Sequence, residues 1–189
     1  MTEESNVHAK VAMADVLALF GIAMFTMAVA GFGLAANGHQ TLALVANIGM
    51  PVAIICLIAT VMAFLNENLL GTAIFGPLAI FFLSIVLVTD PSANAWLCMV
   101  IGIIILVDAI VAFAQPVKLL PILLIVAAIA FFVTSVFYDS LANGKTGEDY
   151  RAMVGALWLI YSLISFYMAA AIMLLVMKGK QVLPLLIKA

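Results

Sequence analysis

The sequence predicts an all-α integral membrane protein of six transmembrane helices, on three observations. The chain of 189 residues is 68% apolar and only 8% charged, where soluble domains carry roughly a quarter of their residues as Asp, Glu, Lys and Arg. The mean hydropathy of +1.35 likewise excludes an ordinary soluble domain. The apolar residues gather in six runs, at about 11–35, 41–65, 69–89, 95–114, 119–138 and 152–177, each close to the roughly 20 residues a helix needs to cross hydrocarbon. At this length one compact bundle is expected. It divides into an N-terminal tail at 1–10, a transmembrane body at 11–178 and a C-terminal tail at 179–189.

Composition also removes whole classes of function. The seven Lys and Arg residues are scattered singly and make no phosphate-binding patch, so no nucleic acid partner is expected. Cys56 and Cys98 lie inside apolar runs and read as small buried hydrophobes. His8 falls in the tail and His39 in a loop, and no Cys, His, Asp or Glu cluster has metal-ligand spacing. There is no Gly-rich phosphate loop and no Gly-x-Ser-x-Gly. No enzyme, catalytic residue, metal site or cofactor is therefore expected.

Residues 1–9 are polar and read as a disordered tail. Glu3 and Glu4 make the start acidic where a signal peptide is basic, and the next run is too long for a signal core, so the first helix is retained. Asp15 lies in its first turns, where the positive helix end favours a carboxylate. Asp15, Leu19, Ile22 and Thr26 also share one stripe at spacings of three and four.

In the second helix Pro51 frees the carbonyl of Asn47. The polar turn Asn66-Glu67-Asn68 feeds the third helix, where Pro77 frees the carbonyl of Ala73. An unpaired carbonyl in hydrocarbon costs several kcal/mol and is tolerated where protein or a watery cavity satisfies it. The third helix is therefore predicted to break in its middle. Its stripe Phe75, Leu78, Phe82 reads as a pore wall, with a plain kink as the alternative, since Pro and Gly are common in such helices.

Gln115-Pro116-Val117-Lys118 separates the fourth run from the fifth. Asp108 lies about two turns before it, where a charge costs on the order of 2.5–3.5 kcal/mol. No Lys or Arg is placed at its depth. It lines a wet cavity, stays protonated or bonds to a neighbouring helix. Asp15 and Asp108 fall in the same half of the membrane, which allows a shared acidic vestibule. Residues 139–151 form the one long polar loop. In the last helix Trp158, Tyr161, Ser162 and Ser165 share a face and read as a helix–helix hydrogen-bonding seam before a substrate path. Trp96 and Trp158 suit interface anchoring.

An even number of crossings puts both termini on one side. That side carries Lys10, Lys118, Lys178, Lys180 and Lys188, against Lys145 and Arg151 on the other. Five against two makes the terminal side cytoplasmic.

Three stretches carry a family resemblance. Ala18-Leu19-Phe20-Gly21-Ile22-Ala23-Met24-Phe25-Thr26 is similar to a Gly-Leu-x-Gly-Phe-Gly-x-Thr-Thr pattern. Asn68-Leu69-Leu70-Gly71-Thr72-Ala73-Ile74-Phe75, followed by Phe81-Phe82-Leu83, is similar to Asn-Thr-Phe-Gly-x-x-x-Phe and a later Phe-Trp. Tyr167 and the tail Lys180-Gln181-Val182-Leu183-Pro184-Leu185 match a last helix and closing Val-Leu-Pro. Over nearly its whole length the chain resembles the acetate uptake transporters, the succinate–acetate permease family.

The resemblance implies a homo-hexamer in the plasma (inner) membrane, with one pore per subunit for acetate-like monocarboxylates moved by proton symport. It places a hydrophobic constriction at Ile22, Leu78 and Val126, and a substrate path past Thr26, Asn68, Phe75 and Tyr167. Asp15 and Asp108 take the proton or vestibule role. The chain departs from the family at Met13-Ala14-Asp15-Val16-Leu17-Ala18, where the family has Asn-Pro-Ala-Pro-Leu-Gly. Polar family positions are apolar here at Cys56, Ala63 and Ile172, and Asp108 stands where a threonine is usual. An acidic lining repels an anion and suits a protonated acid, a neutral solute or a cation. Two further readings stand beside the acid channel: a channel for urea or short amides, and a membrane subunit with no flux of its own.

Overall fold

The structure is a computed structural model that describes residues 3–185, with side chains described from Asp15 onward except at His39. His8, His39, Lys10 and Lys188, named above, lie outside the described side chains. The helices are α1 (Glu3–Leu34), α2 (Leu42–Leu65), α3 (Leu69–Leu87), α4 (Pro91–Ala112), α5 (Leu119–Ala142) and α6 (Glu148–Lys178), with a short 3-10 turn at Gly38–Thr41. All six are long and apolar enough to span a bilayer, α1 doing so over Asp15–Leu34. No strand occurs among the described residues.

The helices close into a ring in chain order. Each packs on the next, and α6 returns to α1 along the most extensive interface of the molecule. Short connections make sequential helices antiparallel neighbours. Two small residues close the ring. A methyl group on Gly155 would lie 2.7 Å from the Cα of Gly33, so α1 and α6 approach backbone to backbone. Deeper in the same interface Ser162 Oγ donates to the Ala23 carbonyl at 2.9 Å, as the expected seam requires. Leu57, Phe64, Ile80, Val107, Ile110 and Leu163 face outward, as a hydrocarbon solvent allows.

Helix ends follow from local chemistry. Asn68 caps α3 by accepting from the Gly71 amide at 3.0 Å. Asp90 caps α4 through the Ser92 amide, with Pro91 at the first helical position. Gly179, with φ +62°, ends α6 in the left-handed conformation that glycine adopts without penalty. The chain then turns back along the bundle. Tyr167 Oη donates to the Pro184 carbonyl at 2.9 Å, and Leu185 is buried.

Three expectations are corrected. Helix α1 begins at Glu3, inside the stretch read as a disordered tail. Its first residues include Glu, Ala and Lys but no Gly or Pro, so nothing stops the helix from extending toward the N-terminus. Helix α3 runs unbroken through Pro77, and α2 through Pro51. A proline removes one hydrogen bond without ending the helix when neighbouring helices hold both halves. Trp158 is no interface anchor. It is buried in the bundle, and its Nε1 donates to Thr134 Oγ1 at 2.9 Å.

Candidate functional site: a file of cavities along the ring axis

Three cavities follow one another through the ring. A vestibule of about 200 Å³ opens at the end that carries the α2–α3 and α4–α5 turns, where Asp15, Asn68 and Gln115 line it. A chamber of about 60 Å³ lies at the centre. A third cavity of about 280 Å³ opens at the end with the long loop, where Thr146 and Glu148 line it. Adjacent cavities share walls. Ile22, Leu124 and Tyr161 line both the vestibule and the chamber. Val29, Val45, Thr134 and Tyr138 line both the chamber and the far cavity.

The stripes read from the sequence turn toward this axis. Asp15, Leu19 and Ile22 line the vestibule, and Ile22 and Thr26 the chamber. Phe75 lines the vestibule, and Leu78 and Phe82 the chamber. Asn68 reaches the vestibule while its side chain caps α3. Asp15, Ile22, Thr26, Asn68, Phe75 and Leu78 are thus brought together along one path.

Val126, Tyr167 and Asp108 line none of these three cavities. Val126 is half-buried on α5. Leu124, two residues earlier and about 200° round the helix, lines the narrow junction instead. Tyr167 stands partly exposed and holds the returning tail. Asp108 is buried, and its Oδ2 has no hydrogen-bond partner among the described residues. Ile105, one turn earlier on α4, lines the chamber.

The chamber is an aromatic enclosure. Phe25 meets Phe82, Phe82 meets Phe81, Phe81 meets Phe131, Phe131 meets Trp158, and Trp158 meets Tyr161, all edge to face. Such pairs add about 0.5–1.5 kcal/mol each beyond their buried area, so the belt linking α1, α3, α5 and α6 is rigid. The hydroxyls within it are largely occupied. Thr26 Oγ1 donates to the Ile22 carbonyl at 2.9 Å. Thr134 Oγ1 donates to the Ala130 carbonyl at 2.7 Å while accepting from Trp158. Among the described residues the charged side chains lining the file are Asp15 at one end and Glu148 at the other, with no Lys or Arg. Asp15 Oδ1 is buried without a hydrogen-bond partner among the described residues. Glu148 pairs with Arg151 at 3.3 Å.

Sequence reasoning named only Val126 on α5 and missed the stripe that lines the chamber. Leu124, Ala127, Phe131, Thr134 and Tyr138 all line the chamber. They recur at spacings of three and four, the signature of one helical stripe, so the pattern was available in the sequence. Among the described residues no three His, Cys, Asp or Glu side chains gather into a metal-binding group, and both cysteines are free and buried.

No protein-family model matches the chain, and no curated protein matches it significantly in sequence. Among solved structures it is similar to one described as the structure of the bacterial acetate channel SatP. The TM-score is 0.75 and the identity 17%, over 90% of this chain and 97% of that one. The two chains share a fold across nearly their full lengths.

Proposed function

We propose that the chain is a divergent member of the acetate uptake transporter family and passes acetate or similar small monocarboxylates together with a proton. The observation that carries this reading is the file of three adjoining cavities along the axis of a closed six-helix ring. Its likeness in fold to an acetate channel supports the solute class. The central chamber, at about 60 Å³, is the smallest of the three cavities and suits a small solute. Ile22 and Leu78 are the apolar constriction, with Leu124 at the junction. Thr26, Asn68 and Phe75 lie along the path.

The proton enters through electrostatics. Removing a bare carboxylate from water into an aromatic enclosure carries an effective penalty of several kcal/mol, and no Lys or Arg among the described lining residues offsets it. A protonated acid avoids that cost. Asp15, which lines the vestibule, and Asp108, which lines none of the three cavities but follows the chamber residue Ile105 by one turn, are the carboxyl groups we assign to proton exchange. Both termini are cytoplasmic, the membrane is the plasma membrane, and the outward apolar faces of the ring meet lipid and further copies in a hexamer.

The test is uptake of labelled acetate into liposomes carrying the purified full chain, at acid and neutral pH, against empty vesicles. Saturable uptake that grows as pH falls supports the reading. No uptake above empty vesicles by folded protein removes it. A second reading, a channel for urea or short amides, is favoured by the absence of Lys and Arg among the described lining residues. Urea flux without acetate flux in the same vesicles selects it.

A further inference from the structure

The two junctions that bound the central chamber share a design. Each is built of aliphatic side chains and one tyrosine, with Thr134 added at the far one. At the vestibule side Ile22 of α1 and Leu124 of α5 face Tyr161 of α6. At the far side Val29 of α1 and Val45 of α2 lie with Tyr138 of α5, beside the already committed Thr134. The two tyrosines therefore stand at opposite ends of a chamber whose remaining wall is almost entirely hydrocarbon and aromatic.

A phenol carries one O–H donor and can also accept. The Tyr161 hydroxyl has Ser165, one helical turn on, as its polar neighbour. Ser165 Oγ is fully buried and has no polar partner besides that phenol among the described residues. An unsatisfied buried hydroxyl beside a gate is a cost unless something completes it. Tyr138, at the other junction, makes an edge contact with Phe137 that fixes its ring. The Thr26 and Thr134 hydroxyls already serve their own helices, so the phenols are the chamber's flexible polar capacity.

We infer that Tyr161 and Tyr138 are the specificity-determining residues of the two gates, each donating a hydrogen bond to the carbonyl oxygen of an uncharged acid or amide as it enters or leaves the chamber. The inference rests on the channel reading proposed above. The greasy partners reject a hydrated ion. The phenol at each gate replaces one water lost by a neutral carbonyl, so solutes with such an acceptor cross and apolar solutes gain nothing. Ser165, which lines none of the three cavities, can donate to the Tyr161 oxygen and leave the phenol O–H for the solute.

The experiment compares full-length protein with Tyr161→Phe and Tyr138→Phe in liposomes, following labelled acetate at acid pH and labelled acetamide at acid and neutral pH. Acetamide does not titrate in this range, so it separates the gate from the proton. Phenylalanine keeps the ring and its edge contacts, and thermal melting confirms the fold. Tyr150→Phe, in the first turn of α6 and outside the file, is the control. Each gate variant is expected to slow both solutes about threefold to tenfold, the effect of one net hydrogen bond, chiefly through weaker half-saturation, with the control unchanged. Wild-type flux of either solute that both gate variants leave unchanged overturns this inference alone. No wild-type flux of either solute overturns the channel reading and this inference with it. Where one variant fails to fold, the other gate carries the same test.

Discussion

Trp158 Nε1 donates to Thr134 Oγ1 at 2.9 Å, and both residues line the central chamber. The bond ties α6 to α5 at the ring's core, and Thr134 passes it on to the Ala130 carbonyl. A buried indole N–H has no other use at this depth. Thr134→Val keeps the shape and removes the acceptor, leaving the indole unsatisfied at a cost of about 1–3 kcal/mol. Thermal unfolding of the purified protein is expected to shift downward by that amount, with a change in tryptophan emission. Thr134→Ser is expected to retain most of the stability. Equal melting of the wild type and the valine variant would show that the bond contributes nothing.

The Gly33–Gly155 approach makes a second prediction. A methyl at Gly155 meets backbone, which cannot rotate aside, so Gly155→Ala is expected to destabilise the α1–α6 seam by about 1–3 kcal/mol. Gly21→Ala is the matched control, because its methyl would rest in ordinary contact 3.4 Å from the Ile55 side chain. Unfolding of the two variants in detergent tests this. Equal stability would mean that the helices separate at no cost.

Ile22 lines both the vestibule and the chamber, so its size sets the opening between them. Ile22→Ala is expected to raise the flux of a longer acid such as butyrate relative to acetate, by about tenfold on the usual worth of a methylene or two. Ile22→Phe is expected to lower the flux of both. Competitive uptake in liposomes reads the ratio, and an unchanged ratio removes Ile22 from the constriction.

Asp108 is buried with an unpartnered Oδ2 and no Lys or Arg within ion-pair distance among the described residues. Asp108→Asn keeps the shape and removes the titratable group. If Asp108 exchanges the proton, acetate uptake in the variant loses its rise with falling pH, while acetamide flux and melting temperature hold. A pH profile that survives the substitution assigns the proton to Asp15 or to the solute alone.

The relation of sequence to fold is plainest at the stripes. Asp15, Leu19, Ile22 and Thr26, and likewise Phe75, Leu78 and Phe82, were legible because helical periodicity is local and each stripe is a single-helix property. The α5 stripe was equally periodic, yet family register points to Val126, while the helix presents Leu124 to the axis. In an apolar helix every face looks alike until neighbours choose one. Tyr167 shows the same limit. Its motif was visible, but the partner it holds is Pro184, placed there by the chain reversal at Gly179.

The sequence by itself determined the solvent, the number of helices and where each begins and ends within a few residues, the start of α1 excepted. These follow from hydropathy, run length and turn chemistry, which act over at most about twenty neighbouring residues. Tertiary structure decided the closed ring, the rotation of α5, the burial of Trp158 and the pairing of a tyrosine with each junction. Those depend on contacts between residues far apart in the chain, such as Gly33 with Gly155 and Ala23 with Ser162. In a chain that is apolar on all sides, packing rather than polarity selects which face turns inward.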